Sequence, residues 1–160
     1  MEAYQRYAPA LLRKAERMLQ NREDARDLVQ NLFLDLLQGG PGTDPPGLPF
    51  LYRAVTNRCL NHLRDRGNRA RLLERGDAAL RGPVRLSCED EVIGVDLLAK
   101  LAGAIDADTC EILVYRYVDD LTQDEIAELT GFSRKTIGKR LDRARDAVRR
   151  LAPARGEENA

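Results

Sequence analysis

Between Leu121 and Leu151 the apolar positions form two helical runs separated by a turn. Thr122 with Glu125 three residues later has the spacing of a capping box. Ile126, Ala127 and Leu129 give the short helix that follows one apolar face. Gly131 supplies a tight turn, Phe132 a hydrophobic plug and Ser133 a second N-cap. Ile137, Leu141, Ala144, Val148 and Leu151 then recur at alternating steps of four and three, which makes one continuous buried stripe. A short helix, a tight turn and a longer basic helix describe a helix-turn-helix. This stretch predicts a DNA-binding unit.

Upstream the pattern is also helical. Tyr4–Gln20 reads as a helix with Ala8, Leu11, Leu12, Ala15 and Leu19 inward, beginning near Pro9 so that the ring avoids the helix interior. Asn21 with Asp24 forms a cap for a second helix to about Gln38. Its apolar positions, Ala25, Leu28, Val29, Leu32, Phe33, Leu36 and Leu37, cover more than one face. Such an arc suits a central bundle helix, or one with a second face offered to a partner. Gly39–Gly47 holds four Gly and three Pro in nine residues and predicts a loop. Pro49 opens a third helix through about Arg66, with Leu51, Ala54, Val55, Cys59 and Leu63 inward and Gly67 or Asn68 at its end. Gly76–Ser87, with Gly82-Pro83 and little periodicity, marks a boundary. Ser87 with Asp90 caps a helix carrying Ile93, Leu97, Leu98, Leu101 and Ile105, and Asp108 with Glu111 repeats the arrangement before Ile112–Val118.

The fold class expected is all-α: two small helical domains joined by a flexible linker, the C-terminal one a helix-turn-helix. The expected limits are 1–75 for the first domain, 76–88 for the linker, 89–152 for the second domain and 153–160 for a loose polar tail.

Charge sharpens this picture. The 26 Lys and Arg balance 26 Asp and Glu, which argues against a general nucleic-acid coat protein. The charge is segregated, however. Residues 131–150 carry eight basic residues against two acids, and residues 53–75 seven against two, while residues 87–111 carry seven acids against one Lys. Alternating blocks suggest separate surfaces, or an acidic surface that covers a basic one until a partner arrives. At about 100° per residue, Lys135, Gly138 and Lys139 lie opposite the buried stripe of the last helix. Thr136, Arg140 and Arg143 flank them, and Arg134 lies nearer the packed edge. Lys135, Thr136, Lys139 and Arg143 can address a major groove, where Lys and Arg suit guanine edges and Thr meets a thymine methyl. Others of the set hold phosphates, and the bland alternative is a solvated basic face. The arginine-rich run Arg64–Arg75, with Phe50 and Tyr52 nearby, can track a single strand or can likewise be a solvated face.

Candidate chemistry is sparse. Cys59, Cys88 and Cys110 are odd in number and far apart, so no disulfide framework is indicated. Cys59 and His62 are two soft ligands where a structural zinc site takes four. A core thiol and a locally bonded imidazole are expected instead, with no metal and no cofactor. With His62 the single histidine, most acid–base schemes fall away, and no enzyme is expected. The start is polar and no run approaches a membrane span, so cytoplasmic location without membrane insertion is expected.

Three segments taken in order carry a resemblance: DARDLVQNLFLDLL at 24–37, FLYRAVTNRCLNHLR at 50–64 and EILVYRYVDDLTQDEIAELTGFSRKTIGKRLDRAR at 111–145. Together they resemble the extracytoplasmic-function (ECF) class of the bacterial sigma-70 family. That resemblance implies a factor that docks on core RNA polymerase and directs initiation at promoter DNA. It places Asp24, Asp27, Gln30, Asn31, Phe33 and Leu34 in the segment that meets the polymerase clamp. It assigns Tyr52, Arg53, Asn57, Asn61, His62 and Arg64 to the −10 element and strand opening, with Arg66, Arg69 and Arg71 near the non-template strand. It assigns Arg134, Lys135, Thr136, Lys139, Arg140 and Arg143 to the −35 element, and suggests an anti-sigma factor as a further partner. Asn31 stands where the family usually carries Glu, Asp35 where a basic residue is common, and Leu37 where Trp is frequent. A sigma-like adaptor and an independent helix-turn-helix regulator remain alternative readings.

Overall fold

A computed structural model of the chain describes residues 2–39, 46–72 and 95–151. They form seven helices: α1 (Glu2–Leu19), α2 (Arg22–Gln38), α3 (Leu48–Leu72), α4 (Val95–Ala104), α5 (Ala107–Tyr117), α6 (Gln123–Thr130) and α7 (Arg134–Leu151). The architecture is all-α, three helices before the undescribed 73–94 segment and four after it. No helix among the described residues is long and apolar enough to cross a membrane.

The helices stop where the sequence supplies caps, with three departures from expectation. Asn21 caps α2 as expected, its side-chain oxygen accepting from the N–H groups of Glu23 and Asp24 at 3.0 and 3.1 Å. The first departure is at Pro9, which lies inside α1 rather than at its start. Pro9 is exposed, as is Gln5, whose carbonyl loses its i+4 donor there, so water can satisfy the orphan. The second is α3, which runs through Gly67 and Asn68 to Leu72. A Cβ at Gly67 would lie 3.8 Å from the Ala99 methyl, so α4 packs against this glycine and the helix continues on tertiary contact rather than propensity. The third is the cap of α5, which is Asp106 and not Asp108. Asp106 accepts from the Thr109 N–H at 3.0 Å and from its hydroxyl at 2.8 Å, while Glu111 is buried elsewhere. The expected Ser87–Asp90 cap and the 153–160 tail lie outside the described residues.

Packing joins the two helical groups. One core cluster takes Leu11, Met18, Leu32, Val55 and Leu63 from α1–α3, and Leu98, Leu101, Leu113, Val114 and Val148 from α4, α5 and α7. A second cluster, Ile112, Tyr115, Ile126, Ile137 and Leu141, holds the helix-turn-helix together. Thr109–Tyr115 of α5 are all buried, so this helix serves both clusters. On α2 the wide apolar arc divides: Ala25, Val29, Leu32 and Phe33 are buried, Leu28 and Leu36 half-buried and Leu37 exposed, and Leu34, outside the arc, is exposed too.

Candidate nucleic-acid interface

The turn between α6 and α7 is fixed at both ends. Thr122 and Glu125 close a reciprocal capping box: the Thr122 hydroxyl accepts from the Glu125 N–H at 3.2 Å, and the Glu125 carboxylate accepts from the Thr122 N–H at 2.7 Å. The Thr122 N–H, with the Thr122 hydroxyl donating at 2.9 Å, holds the Glu125 carboxyl below its ordinary range. Gly131 ends α6 in the left-handed region at φ 78°, which a side chain would strain. Ser133 then accepts from the Thr136 N–H at 3.2 Å and opens α7.

This geometry leaves Lys135, Lys139 and Arg143 exposed on α7. Thr136 is half-buried, its hydroxyl 2.9 Å from that of Ser133, and Arg134 is exposed, 3.5 Å from Asp124. Arg140 is different. Its guanidinium donates to Asp106 at 2.7 Å and to the Thr109 hydroxyl at 3.1 Å, lies 3.5 Å from Asp108, and stacks over Phe132 at 5.0 Å. Arg140 therefore braces the recognition helix against the start of α5. Burial pushes the Asp106 carboxyl up, but the Thr109 bonds and the Arg140 charge outweigh it, and the net shift is downward.

On α2, Asp27, Gln30, Asn31 and Leu34 are exposed at helical spacing and share a face. Phe33 is not on it: the ring is buried, edge-on to Tyr4 with centroids 4.9 Å apart, and supports the helix from behind. Asp24 is half-buried, 3.5 Å from His62 Nε2, and Asp35 accepts from Arg58 at 2.6 Å.

The α3 residues are the most altered by folding. Arg53 donates through Nε and Nη2 to the two carboxylate oxygens of Glu111, at 2.8 and 3.3 Å, and these bonds raise its pKa further. Tyr52 stacks on Tyr115 with centroids 5.8 Å apart, and the Lys14 ammonium lies 4.1 Å from the Tyr52 ring centre. Arg64 donates to the Ala102 carbonyl at 2.7 Å and to Asn61 at 2.9 Å. Asn57, His62 and Arg66 are half-buried, and Asn61 and Arg69 are exposed. The Arg71 side chain lies outside the described residues.

Sequence reasoning missed the groups that meet these residues. Lys14 and Asp119 form an ion pair with both side chains 1 % exposed. Burial lowers the Lys14 pKa against the opposing pull of the Asp119 charge. Burial, then Asp119, push the Tyr52 hydroxyl up. Burial, then Glu111, push up Tyr115, whose hydroxyl donates to Glu111 at 2.7 Å. One signal was present. Lys14 stands three residues after Leu11 and four before Met18, a charge on the buried stripe of α1. Cys59 and Cys110 are buried thiols, each pushed up to about 12 chiefly by desolvation. Among the described residues no three His, Cys, Asp or Glu side chains come together as a metal site.

The family profile Sigma-70 region 2 matches residues 3–69, the α1–α3 group, and Sigma-70, region 4 matches residues 98–148, within α4–α7. Comparison with curated proteins returns no match. Among solved structures, the sigma factor RpoE from Bartonella quintana, co-crystallised with the anti-sigma factor NepR, is similar in fold. It shares 18% identity, with 96% of each chain covered and a TM-score of 0.50. Region 2 followed by region 4, with the helix-turn-helix in the latter, makes this chain a member of the sigma-70 family, which directs RNA polymerase to promoter elements.

Proposed function

We propose that residues 1–75 dock on core polymerase and read the −10 element, that 76–88 link, that 89–152 read the −35 element, and that 153–160 form a tail. The carrying observation is the exposed basic face of α7, set by a capping box, a left-handed glycine and a second cap. Lys135, Lys139 and Arg143 reach into the major groove with Thr136, while Arg134 holds phosphate. Arg140 takes part by bracing α7 against the start of α5. Asp27, Gln30, Asn31 and Leu34 form the polymerase-docking face, with Asp24 at its margin and Phe33 beneath it. Tyr52, Arg53, Asn57, Asn61, His62 and Arg64 meet the −10 strand, and Arg66, Arg69 and Arg71 follow the displaced strand.

No covalent chemistry is needed. Docking brings both DNA-reading units to one promoter, the upstream duplex positions the complex, and the downstream strand is captured as it opens. Because the second contact is intramolecular, two modest interfaces give useful specificity. The reading places the protein in the cytoplasm and admits an anti-sigma factor as a further partner, as NepR is for RpoE.

Footprinting of the polymerase complex tests these assignments. Lys139→Ala with Arg143→Ala is expected to lose upstream protection, at about 1–3 kcal/mol per base contact removed, with core binding intact. Leu34→Asp is expected to weaken core binding itself. An unchanged upstream footprint in the α7 variant overturns the −35 assignment.

A further inference from the structure

The basic reading face of α7 has an acid and a gap on one edge, Asp142 and Gly138. At about 100° per residue, Asp142 lies about 60° from Lys139, on the side of Lys135, and Gly138 lies about 100° from it on that same side. They are four residues apart, so one sits a turn above the other. Asp142 is exposed, as are Lys135, Lys139 and Arg143. It stands one residue before Arg143, about 1.5 Å nearer the start of the helix. A groove that admits Arg143 therefore admits Asp142.

Neither residue has a role inside the protein that accounts for it. Glycine weakens a helix relative to alanine. At Gly67 the close approach of Ala99 explains it, whereas a Cβ at Gly138 would meet nothing within 4 Å among the described residues. Asp142 is 71 % exposed and its partner Arg145 48 %, and such an i,i+3 pair stabilises a helix only weakly. The pair does aim the carboxylate. Arg145 donates through Nη1 to Oδ1 of Asp142 at 2.9 Å and through Nε to the Tyr117 hydroxyl of α5 at 3.0 Å. The carboxylate is thus tied to the helix beneath, and Oδ2 is left to accept.

A carboxylate in a major groove is repelled by the phosphates on either side, so it is favoured there only opposite a donor. Two bases offer an amino group in that groove, cytosine at N4 and adenine at N6. Adenine sets its N7 acceptor beside the amino group, which repels the second carboxylate oxygen, while cytosine has a C–H there. Guanine and thymine present only acceptors and a methyl group. We infer that Asp142 is a specificity-determining residue: it accepts from the N4 amino group of a cytosine in the upstream element, in a notch that the missing side chain of Gly138 leaves for the base edge. The inference rests on the assignment of α7 to that element. Lys139 and Arg143 draw the helix in by charge, and Asp142 penalises every base without an amino group at its own position. Arg145 is a positioning residue in this arrangement.

Full-length protein with core polymerase, assayed on a promoter library randomised over the upstream element and read by template barcode, tests this. Wild-type protein is expected to prefer cytosine over guanine or thymine at one position by about 5- to 150-fold. Asp142→Ala should abolish that preference and leave those set by Lys139 and Arg143. Asp142→Asn should move it to adenine, whose N6 and N7 suit a side-chain amide. Gly138→Ala should raise the thermal midpoint by about 2–4 °C and yet lower transcription from the cytosine promoter at least about 5-fold. An Asp142→Ala protein that keeps the wild-type preference at every position, with binding tightened uniformly, overturns the inference and leaves Asp142 as a charge that only opposes phosphate. A Gly138→Ala protein with unchanged transcription overturns the notch. If Lys139→Ala with Arg143→Ala also leaves the upstream motif unchanged, the assignment of α7 falls and takes this one with it. A motif that shifts in that variant but not in Asp142→Ala sinks the Asp142 reading alone.

Discussion

Glu111→Gln and Arg53→Ala break the same contact from opposite sides, and they are expected to have opposite effects on transcription. The two N–H···O bonds are 2.8 and 3.3 Å long, with the Glu111 side chain 2 % exposed and Arg53 34 % exposed. Hydrogen bonds to charged groups contribute about 1.5–3 kcal/mol, and the partial exposure of Arg53 moves this pair toward the lower end. Gln at 111 keeps an acceptor for the Tyr115 hydroxyl and one for Arg53, so the loss is about 1–2 kcal/mol. That is roughly a 5- to 30-fold shift toward a form in which this contact between α3 and α5 is parted. On the −10 role proposed for α3, the Arg53 freed in Glu111→Gln is available to phosphate, so single-round run-off transcription at limiting protein is expected to rise. Arg53→Ala also parts the contact but removes the proposed phosphate ligand. Transcription should then fall, and the salt dependence of promoter binding should weaken by about 0.7–0.9 in log–log slope. Titrated run-off assays with scattering on each variant read both effects. Transcription moving the same way in both variants, or an unaltered radius in Glu111→Gln, would refute the reasoning.

Other perturbations probe the framework. Ile126→Ala empties a fully buried position between α5 and α7 and is expected to cost about 3 kcal/mol in thermal unfolding and to abolish upstream binding. Thr122→Ala opens the capping box and should lower stability by about 1 kcal/mol, with Thr122→Ser restoring most of it. Buried Cys110, at about 12 folded against 9.0 ordinarily, keeps its proton where the unfolded chain has lost it, so its contribution is complete below pH 9 and is lost as pH rises toward 12. Unfolding free energies from denaturant titrations should therefore fall more steeply with alkaline pH in the wild type than in Cys110→Ala, by about 1.4 kcal/mol per pH unit, and parallel curves would contradict this.

The helix-turn-helix was legible because its signals are local: a capping pair, a glycine and a cap all act within a few residues, and each formed as expected at Thr122, Gly131 and Ser133. The same reasoning misplaced the α5 cap: Arg140 meets both Asp106 and Asp108, but only Asp106 accepts from the N–H and the hydroxyl of Thr109 three residues on. It ended α3 at Gly67 or Asn68, where packing of Ala99 against the missing side chain of Gly67 overrides helix propensity. The polar contact between the two helical groups was the least legible feature. Lys14 and Asp119 are 105 residues apart, and neither has a local pattern that names its partner. The acidic stretch 87–111 did raise the possibility of a covered basic surface, and Glu111 and Asp106 of that stretch do meet Arg53 and Arg140. Roles on DNA were not legible in the same sense: residue type and helical face suggest Lys135, Lys139 and Arg143, while the bases they meet are a property of the promoter.

The most direct measurement is run-off transcription by purified bacterial core polymerase across a library of promoter fragments, with and without this protein. Transcripts that depend on the protein and share two spaced sequence motifs are the expected result, and the upstream motif should change when Lys139 and Arg143 are replaced. A library of adequate coverage that yields no protein-dependent transcript, beside a control sigma factor that works, contradicts the central claim.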